Sequence, residues 1–439
     1  RSLYYPGPSL SDGHLQCNRI FSPCVTHGRV PLISAAPGTL YRRPAHLGGT
    51  VTKRKGVYRL RCDTPIMITQ LGVKNFKSVR EANLHCNGVN IIIGANNSGK
   101  SNILEALEYY SRSLTVPLEE LFGPGPFSFS QILHRGSDIR KEGIEIDVTF
   151  HGRFGETSHS YHIDSHRNPP GRYPRYRLEV TNESMCSSEN QIIREHENTL
   201  LMREKGVSRD LPQEFVDMYN ACRGIRKFQF VPKEIKRERE IDPLETNIPF
   251  LKHNGENLVN VLFAMRDSKP QIYREIIDDF KEIYPDVTGL SFTHLGDYRY
   301  ALEFSRKIGD KNWSFLSPQV SDGFVITLAV LTLIHLHQTN RIILIEEIEN
   351  GLNPLTLGKI LQKILIYSEA SDMQFFITTH SPVLLDCLNA FPDLVFVCEQ
   401  RNGQSEYIPL PDILKKFRDD YTPGESLVEL WLEGLIGGL

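Results

Sequence analysis

Apolar and polar positions along the 439-residue chain fall into distinct regimes. Residues 67–73 and 89–93 are short, apolar and β-branched, broken by Gly and Asn turns, and predict strands. Residues 102–110 place Ile103, Leu104, Ala106 and Leu107 on one side and predict a helix. Residues 144–150 alternate through Ile144, Ile146, Val148 and Phe150, which predicts a half-buried antiparallel strand with 176–180 as its partner. From Thr181 to about Arg239 the chain turns polar and is expected to be mostly helical, its charge clusters reading as solvated faces. No heptad is sustained there, so no long coiled coil is expected. Residues 257–280 are amphipathic with a helical period. The longest apolar run, 324–336, is shorter than the ~18 residues a membrane span needs and predicts a buried helix.

The last 120 residues or so change character. Residues 341–345, 373–378 and 394–398 are nearly continuous apolar strands, separated by helical sequence. Strands buried on both faces and alternating with helices imply a parallel sheet between helical layers. Ligands bind such sheets at the carboxyl ends of the strands.

Composition adds a class and a boundary. With 40% hydrophobic and 23% charged residues, the chain is neither disordered, collagen-like nor membrane-spanning in type. Its eight cysteines form no CxxC pair and no zinc spacing, which fits a reducing, cytoplasmic setting. The formal net charge of -3 conceals a split: residues 1–66 carry a net +8 and the remaining 373 a net -11. The leader also holds seven Pro and seven Gly and no Met, and it is expected to be poorly packed. Three readings of it stay open: a transit peptide, a basic arm that touches nucleic acid, or upstream sequence with Met67 as the start.

Four elements carry chemistry. Gly94-Ala95-Asn96-Asn97-Ser98-Gly99-Lys100-Ser101 fits GxxxxGK[ST] between an expected strand and an expected helix. Its glycines let backbone N–H groups wrap phosphate oxygens, Lys100 meets the β/γ-phosphates, and the Ser101 hydroxyl ligates Mg2+. The apolar strand at 342–345 ends in Glu346 and Glu347, as needed where one acid organises Mg2+ and the next polarises an attacking water. A third strand ends in His380, beside Ser381-Pro382, where an imidazole can hydrogen-bond a terminal phosphate. Ser321-Asp322-Gly323 opens the long apolar helix, as an N-cap and also as an anion site.

In this order the elements resemble the ABC-type ATPase heads of the RecF/SMC class, including the ATPase part of overcoming-lysogenization-defect proteins. The resemblance runs through ITQLGVKNFKSV (68–79), GANNSGKSNILEAL (94–107), LSPQVSDG (316–323), LIEEIENGLNP (344–354) and TTHSPVLLD (378–386). It covers residue 67 to the C-terminus and is least specific between about 150 and 312. It implies an α/β P-loop NTPase fold: a mostly parallel sheet with flanking helices, an antiparallel β subdomain and a helical insertion. The expected divisions are a leader (1–66), an N-terminal ATPase lobe (67–150), a β/helical insertion (151–312) and a C-terminal lobe (313–439).

The resemblance also implies site roles. Asn96, Asn97, Ser98, Gly99, Lys100, Ser101 and Asn102 would hold ATP, with Ser321 and Gly323 as signature residues closing over it from a second subunit. Ser101 and Glu346 would hold Mg2+, Glu347 would be the general base, His380 the switch histidine and 350–354 the D-loop. Gln131 and Gln229 compete as the Q-loop glutamine, with Gln131 preferred. Glu346 stands where many relatives have Asp, and the signature lacks the second Gly and the Gln of transporter versions. Only 59 residues follow His380, with no acidic metal cluster among them, so any nuclease is expected on another chain. The resulting expectation is a homodimeric or higher-order, Mg-dependent ATPase of DNA repair or anti-phage defence, acting on DNA or on a partner effector, without a membrane. The alternative is a non-turning-over, ATP-gated scaffold that restrains a nuclease or toxin. A basic run between Arg223 and Arg239 is the DNA-contact candidate, set against an exposed, balanced charged helix.

Overall fold

A computed structural model describes residues 66–122, 129, 131–134, 136, 142–167, 176–197, 200, 211–241, 247, 249–336, 342–371, 373–417, 427–434 and 436. The chain divides into two units, 1–44 and 45–439. The first, and with it the expectation for the leader, lies outside the described residues, as does Arg341.

The second unit is built on three sheets. Its strands are β1 (Met67–Phe76), β2 (Val79–His85), β3 (Val89–Gly94), β4 (Ile144–Gly152), β5 (Gly155–Arg167), β6 (Tyr176–Ser187), β7 (Gln191–Glu197), β8 (Arg226–Phe228), β9 (Arg239–Glu240), β10 (Val287–His294), β11 (Arg299–Ile308), β12 (Lys311–Leu316), β13 (Ile342–Ile345), β14 (Gln374–Thr379), β15 (Val395–Arg401) and β16 (Gln404–Pro409). The central sheet has the order β16-β15-β3-β14-β13-β8, parallel except for the β15–β16 hairpin. A second, antiparallel sheet runs β2-β1-β4-β5-β6-β7, and a third contains β10-β11-β12 with β9 beside β11.

Alternation along the central strands explains how both faces are covered. Ile91, Ile93, Ile343, Ile345, Phe375, Ile377, Val395 and Val397 enter one core, shared with the helices Leu258–Ser268, Pro270–Ile283, Asp322–His335 and Pro354–Ser371. Ile92, Ile342, Leu344, Phe376, Phe396 and Cys398 enter the other, shared with the helix Lys100–Ser113 and the antiparallel sheet. Strands with apolar residues at every position satisfy two cores at once. Gln374 joins the two sheets at their base. Its buried amide accepts from Ile68 N–H at 2.9 Å and donates to Ile68 O at 2.7 Å and Asn87 O at 2.8 Å.

Two readings of the middle of the chain are corrected. The polar stretch after Thr181 is not mostly helical: β6 continues to Ser187 and β7 follows, before the helix Gln213–Cys222. Nor does 176–180 pair with 144–150, because β5 lies between β4 and β6 and was not foreseen. The boundary expected at 150/151 falls inside β4, and that at 312/313 inside β12. The amphipathic stretch 257–280 forms two helices, broken before Pro270, whose ring removes a backbone donor. No described helix is long and apolar enough to cross a membrane.

Candidate nucleotide site

The central sheet brings three motifs to one edge. The phosphate loop leaves β3, His380 follows β14, and Glu346 and Glu347 follow β13, on adjacent parallel strands. Strand spacing of ~4.8 Å puts the outer two about 10 Å apart, the span of a triphosphate with its metal.

The loop turns through left-handed backbone at Asn97 (φ +67°) and Gly99 (φ +99°). A Cβ on Gly99 would lie 1.9 Å from Ser405 Oγ, so a side chain is excluded by space as well as by φ. Lys100 folds back on the loop, donating to Gly94 O at 2.9 Å and Ala95 O at 2.7 Å. Burial pushes its ammonium pKa down, against the pull of the nearby carboxylates Glu349 and Glu347. The Ser98 hydroxyl is buried and has no hydrogen-bond partner among the described residues.

The loop is braced from the side of β15–β16. Ser98 O accepts from Ser405 Oγ at 2.6 Å and Cys398 Sγ at 3.3 Å, and Gly99 O accepts from the Tyr407 hydroxyl at 2.7 Å. The Asn102 side chain donates to Ser78, which itself bonds Ser405. Asn102 therefore belongs to this support. Burial raises the Cys398 thiol to about 11, so it serves here as a neutral donor. Nothing in the sequence pattern marks Ser405 or Tyr407.

The acidic strand end is tightly placed. Glu346 N–H donates to Phe228 O of β8 at 2.8 Å, and Glu346 Oε2 lies 3.4 Å from Lys227 Nζ. Lys227 also reaches Glu108 on the helix behind the phosphate loop, at 3.2 Å. Lys77, whose pKa burial and the neighbouring Lys227 push down, pairs with Glu105 nearby. Glu347 adopts φ +48°, its N–H donating to Thr378 Oγ1 at 3.1 Å and its Oε2 accepting from Asn350 Nδ2 at 2.7 Å. His380 is not beside Glu347 in these contacts; its Nδ1 lies 2.7 Å from Glu349 Oε1. Glu349 was overlooked, although a third acid two residues beyond Glu347 was visible.

Gln131 is exposed, and no contact among the described residues joins it to Ser101 or Glu346. Gln229 instead directly follows β8, whose last residue pairs with Ile345 and accepts from Glu346. Of the two glutamines, Gln229 is the one that lies beside the acidic strand end. Ser101 in the first helical turn and Glu346 at the strand end offer hydroxyl and carboxylate oxygens, the donor set of a Mg2+ that keeps phosphate and water as its other ligands. These residues fit that ion.

Ser321 occupies the N-cap of the helix Asp322–His335 without a side-chain capping bond, so its hydroxyl is not spent on its own helix. Gly323 packs against the loop after β13: a Cβ there would lie 2.7 Å from Gly351 O. Asp322 and Gly323 thus meet Gly351 and Leu352 of their own chain, and no described contact joins this helix start to the phosphate loop.

Residues 89–386 match the family model described as "AAA domain, putative AbiEii toxin, Type IV TA system", about two thirds of the chain. An ATP/GTP phosphatase of Helicobacter pylori (strain ATCC 700392 / 26695) is 22% identical over 347 residues, covering 74% of this chain and 88% of that one. Among solved structures, an SMC head bound to the C-winged helix domain of ScpA shares 18% identity at TM-score 0.49, over 79% of this chain and 99% of that chain. The SMC head domain from Thermotoga maritima shares 14% at TM-score 0.45, over 78% and 98%. With its phosphate loop, acidic strand end and histidine on one sheet edge, the chain belongs to this AAA-domain family and is a P-loop ATPase, with ATP as substrate and Mg2+ as its ion.

Proposed function

We propose that the chain is a nucleotide-driven switch in which two copies close over ATP, the phosphate loop of one facing Ser321 and Gly323 of the other. The observation that carries this reading is the position of the signature helix. Its N-cap serine has a hydroxyl that caps nothing in its own helix, Gly323 lies against Gly351 and Leu352, and no described contact joins this N-terminus to the phosphate loop of its own chain. Helix N-termini of this kind attract anions, and a second copy would supply the triphosphate.

The ion bound by Ser101 and Glu346 would offset charge on the β- and γ-phosphates. Lys100 leaves Gly94 O and Ala95 O for phosphate oxygen, a donor exchange within one loop. Glu347 accepts a proton from the attacking water, after its carboxylate parts from Asn350. His380 donates to the terminal phosphate. Hydrolysis is then a matter of positioning and charge stabilisation, and loss of the γ-phosphate releases the two copies.

The closed pair would act on a partner protein in defence. The matched family's description names a toxin of type IV toxin–antitoxin systems, and the basic run from Arg223 to Arg239 is largely spent within the chain. Lys227 pairs with Glu108 and Glu346, Lys236 with Asp322, Arg237 with Glu234, and Arg239 with Glu234 and Glu256. A DNA backbone would have to displace these acids. The test is complementation between inactive chains: Lys100→Ala and Ser321→Arg proteins, each without turnover, should recover about a quarter to a half of wild-type activity when mixed. No recovery from two well-folded proteins sinks the shared site.

A further inference from the structure

Glu349 follows the acidic strand end yet faces the histidine. Its Oε1 accepts from His380 N–H at 2.6 Å and lies 2.7 Å from His380 Nδ1. One carboxylate oxygen therefore fixes both the end of β14 and the ring that follows it. The Glu349 side chain is 9% exposed and that of His380 42%, so the acid lies beneath and the imidazole reaches out. The other oxygen, Oε2, is buried and has no hydrogen-bond partner among the described residues. Leaving a buried acceptor without a donor costs ~1–3 kcal/mol, and such groups stand where a further component completes the site. Lys100 is close enough to feel the charge of Glu349.

We infer that Glu349 is a positioning residue for ATP hydrolysis, holding His380 by Nδ1 so that Nε2 is the nitrogen presented to the terminal phosphate. The inference rests on the reading of His380 as the residue that meets that phosphate. With Nδ1 engaged by the acid, Nε2 is the remaining nitrogen of the exposed ring. Only the protonated imidazolium donates from both nitrogens, as a carboxylate on one side and a phosphate on the other require, and a ring fixed on one side loses little freedom in reaching the transition state. The unpartnered Oε2 marks a carboxylate whose surroundings are complete only with nucleotide and its waters in place.

The test compares His380→Ala, Glu349→Ala, Glu349→Gln and the double alanine variant. The readouts are kcat, KM and the equilibrium affinity for a non-hydrolysable ATP analogue with Mg2+. Glu349→Ala should lower kcat by ~100-fold with analogue affinity within about threefold. Glu349→Gln, whose carbonyl still accepts from both His380 donors, should regain most of the rate. The double variant should be no slower than His380→Ala, because the two residues act as one unit. Where Glu349→Ala does not fold, Glu349→Asp, one methylene shorter, takes its place, with a ~10-fold loss of kcat expected at unchanged affinity. Wild-type turnover in the Glu349 variants beside an impaired His380→Ala overturns this inference alone. A loss of analogue affinity as large as the loss of kcat also overturns it, since Glu349 would then be a prop of the pocket. Full turnover in His380→Ala removes the underlying reading of the histidine.

Discussion

Tyr407→Phe deletes one hydroxyl and leaves the ring, so it isolates the support of the phosphate loop by the β15–β16 hairpin. The hydroxyl donates to Gly99 O at 2.7 Å, and Gly99 O keeps a second donor, Asn102 N–H at 2.9 Å. The loss therefore belongs near the middle of the ~0.5–1.5 kcal/mol range for one hydrogen bond. Ser405→Ala removes more, because Ser98 O then retains only the weak Cys398 thiol donor and Ser78 loses a partner. Expressed in the loop geometry that binds phosphate, ~1 kcal/mol raises the KM for ATP about fivefold, with kcat changed less than about twofold. Steady-state hydrolysis, calorimetric titration with a non-hydrolysable analogue and a thermal melt separate the possibilities. A Tyr407→Phe protein that melts earlier yet keeps its KM would show that the hairpin braces the fold and not the loop, and the reasoning would be wrong.

Glu347→Gln should lower kcat by ~100-fold or more while ATP binding persists, since it removes the base and keeps the shape; single-turnover hydrolysis and nucleotide retention measure the two separately. Gly323→Ala places a methyl 2.7 Å from Gly351 O, forcing backbone to move at a cost of ~1–3 kcal/mol, read as a lowered melting temperature and weaker complementation in the mixing assay. Asp279 is opposed by burial but held below its ordinary range by hydrogen bonds from His335 and Lys363. Its contribution is therefore present above the ordinary aspartate value of 3.8 and lost as pH falls through the lower folded value. Denaturant titrations between pH 6 and about pH 2 should show Asp279→Asn already destabilised at pH 6 and flatter on the acid side; parallel curves for variant and wild type would contradict this.

The central sheet was legible because β3, β13 and β14 are buried on both faces and read as nearly continuous apolar runs ending in the motif residues. The antiparallel sheet was legible in β1, β4 and the first residues of β6, while β5, which lies between the last two, was not. In β5 the inward positions are Thr157, His159, Tyr161, Ile163 and Ser165, so the buried face carries polar residues and the alternation disappears. The reason lies in a partner no local window contains: His159 sits 3.1 Å from Glu183 of β6 and 2.9 Å from the Tyr110 hydroxyl on the helix behind the phosphate loop. At the site, phosphate loop, acids and histidine were readable from spacing. Gln229, Lys227 and Glu349 acquire meaning only from which strands become neighbours, and Ser405 and Tyr407 only from a hairpin folding back some 300 residues along the chain.

Gln374 has a mechanical consequence. It opens β14, the strand that His380 closes, and its amide is bonded on both edges to Ile68 and Asn87. The two sheets are riveted there, so the antiparallel layer cannot tilt without dragging the foot of the histidine strand. Under the proposed switch, nucleotide-driven movement is expected on the opposite flank, in the helices from Leu258 to Ile283 and the β10–β12 sheet beyond them. A pair of cysteines placed across the rivet should report a constant separation through the ATP cycle, and the working distance change should be sought on the other side.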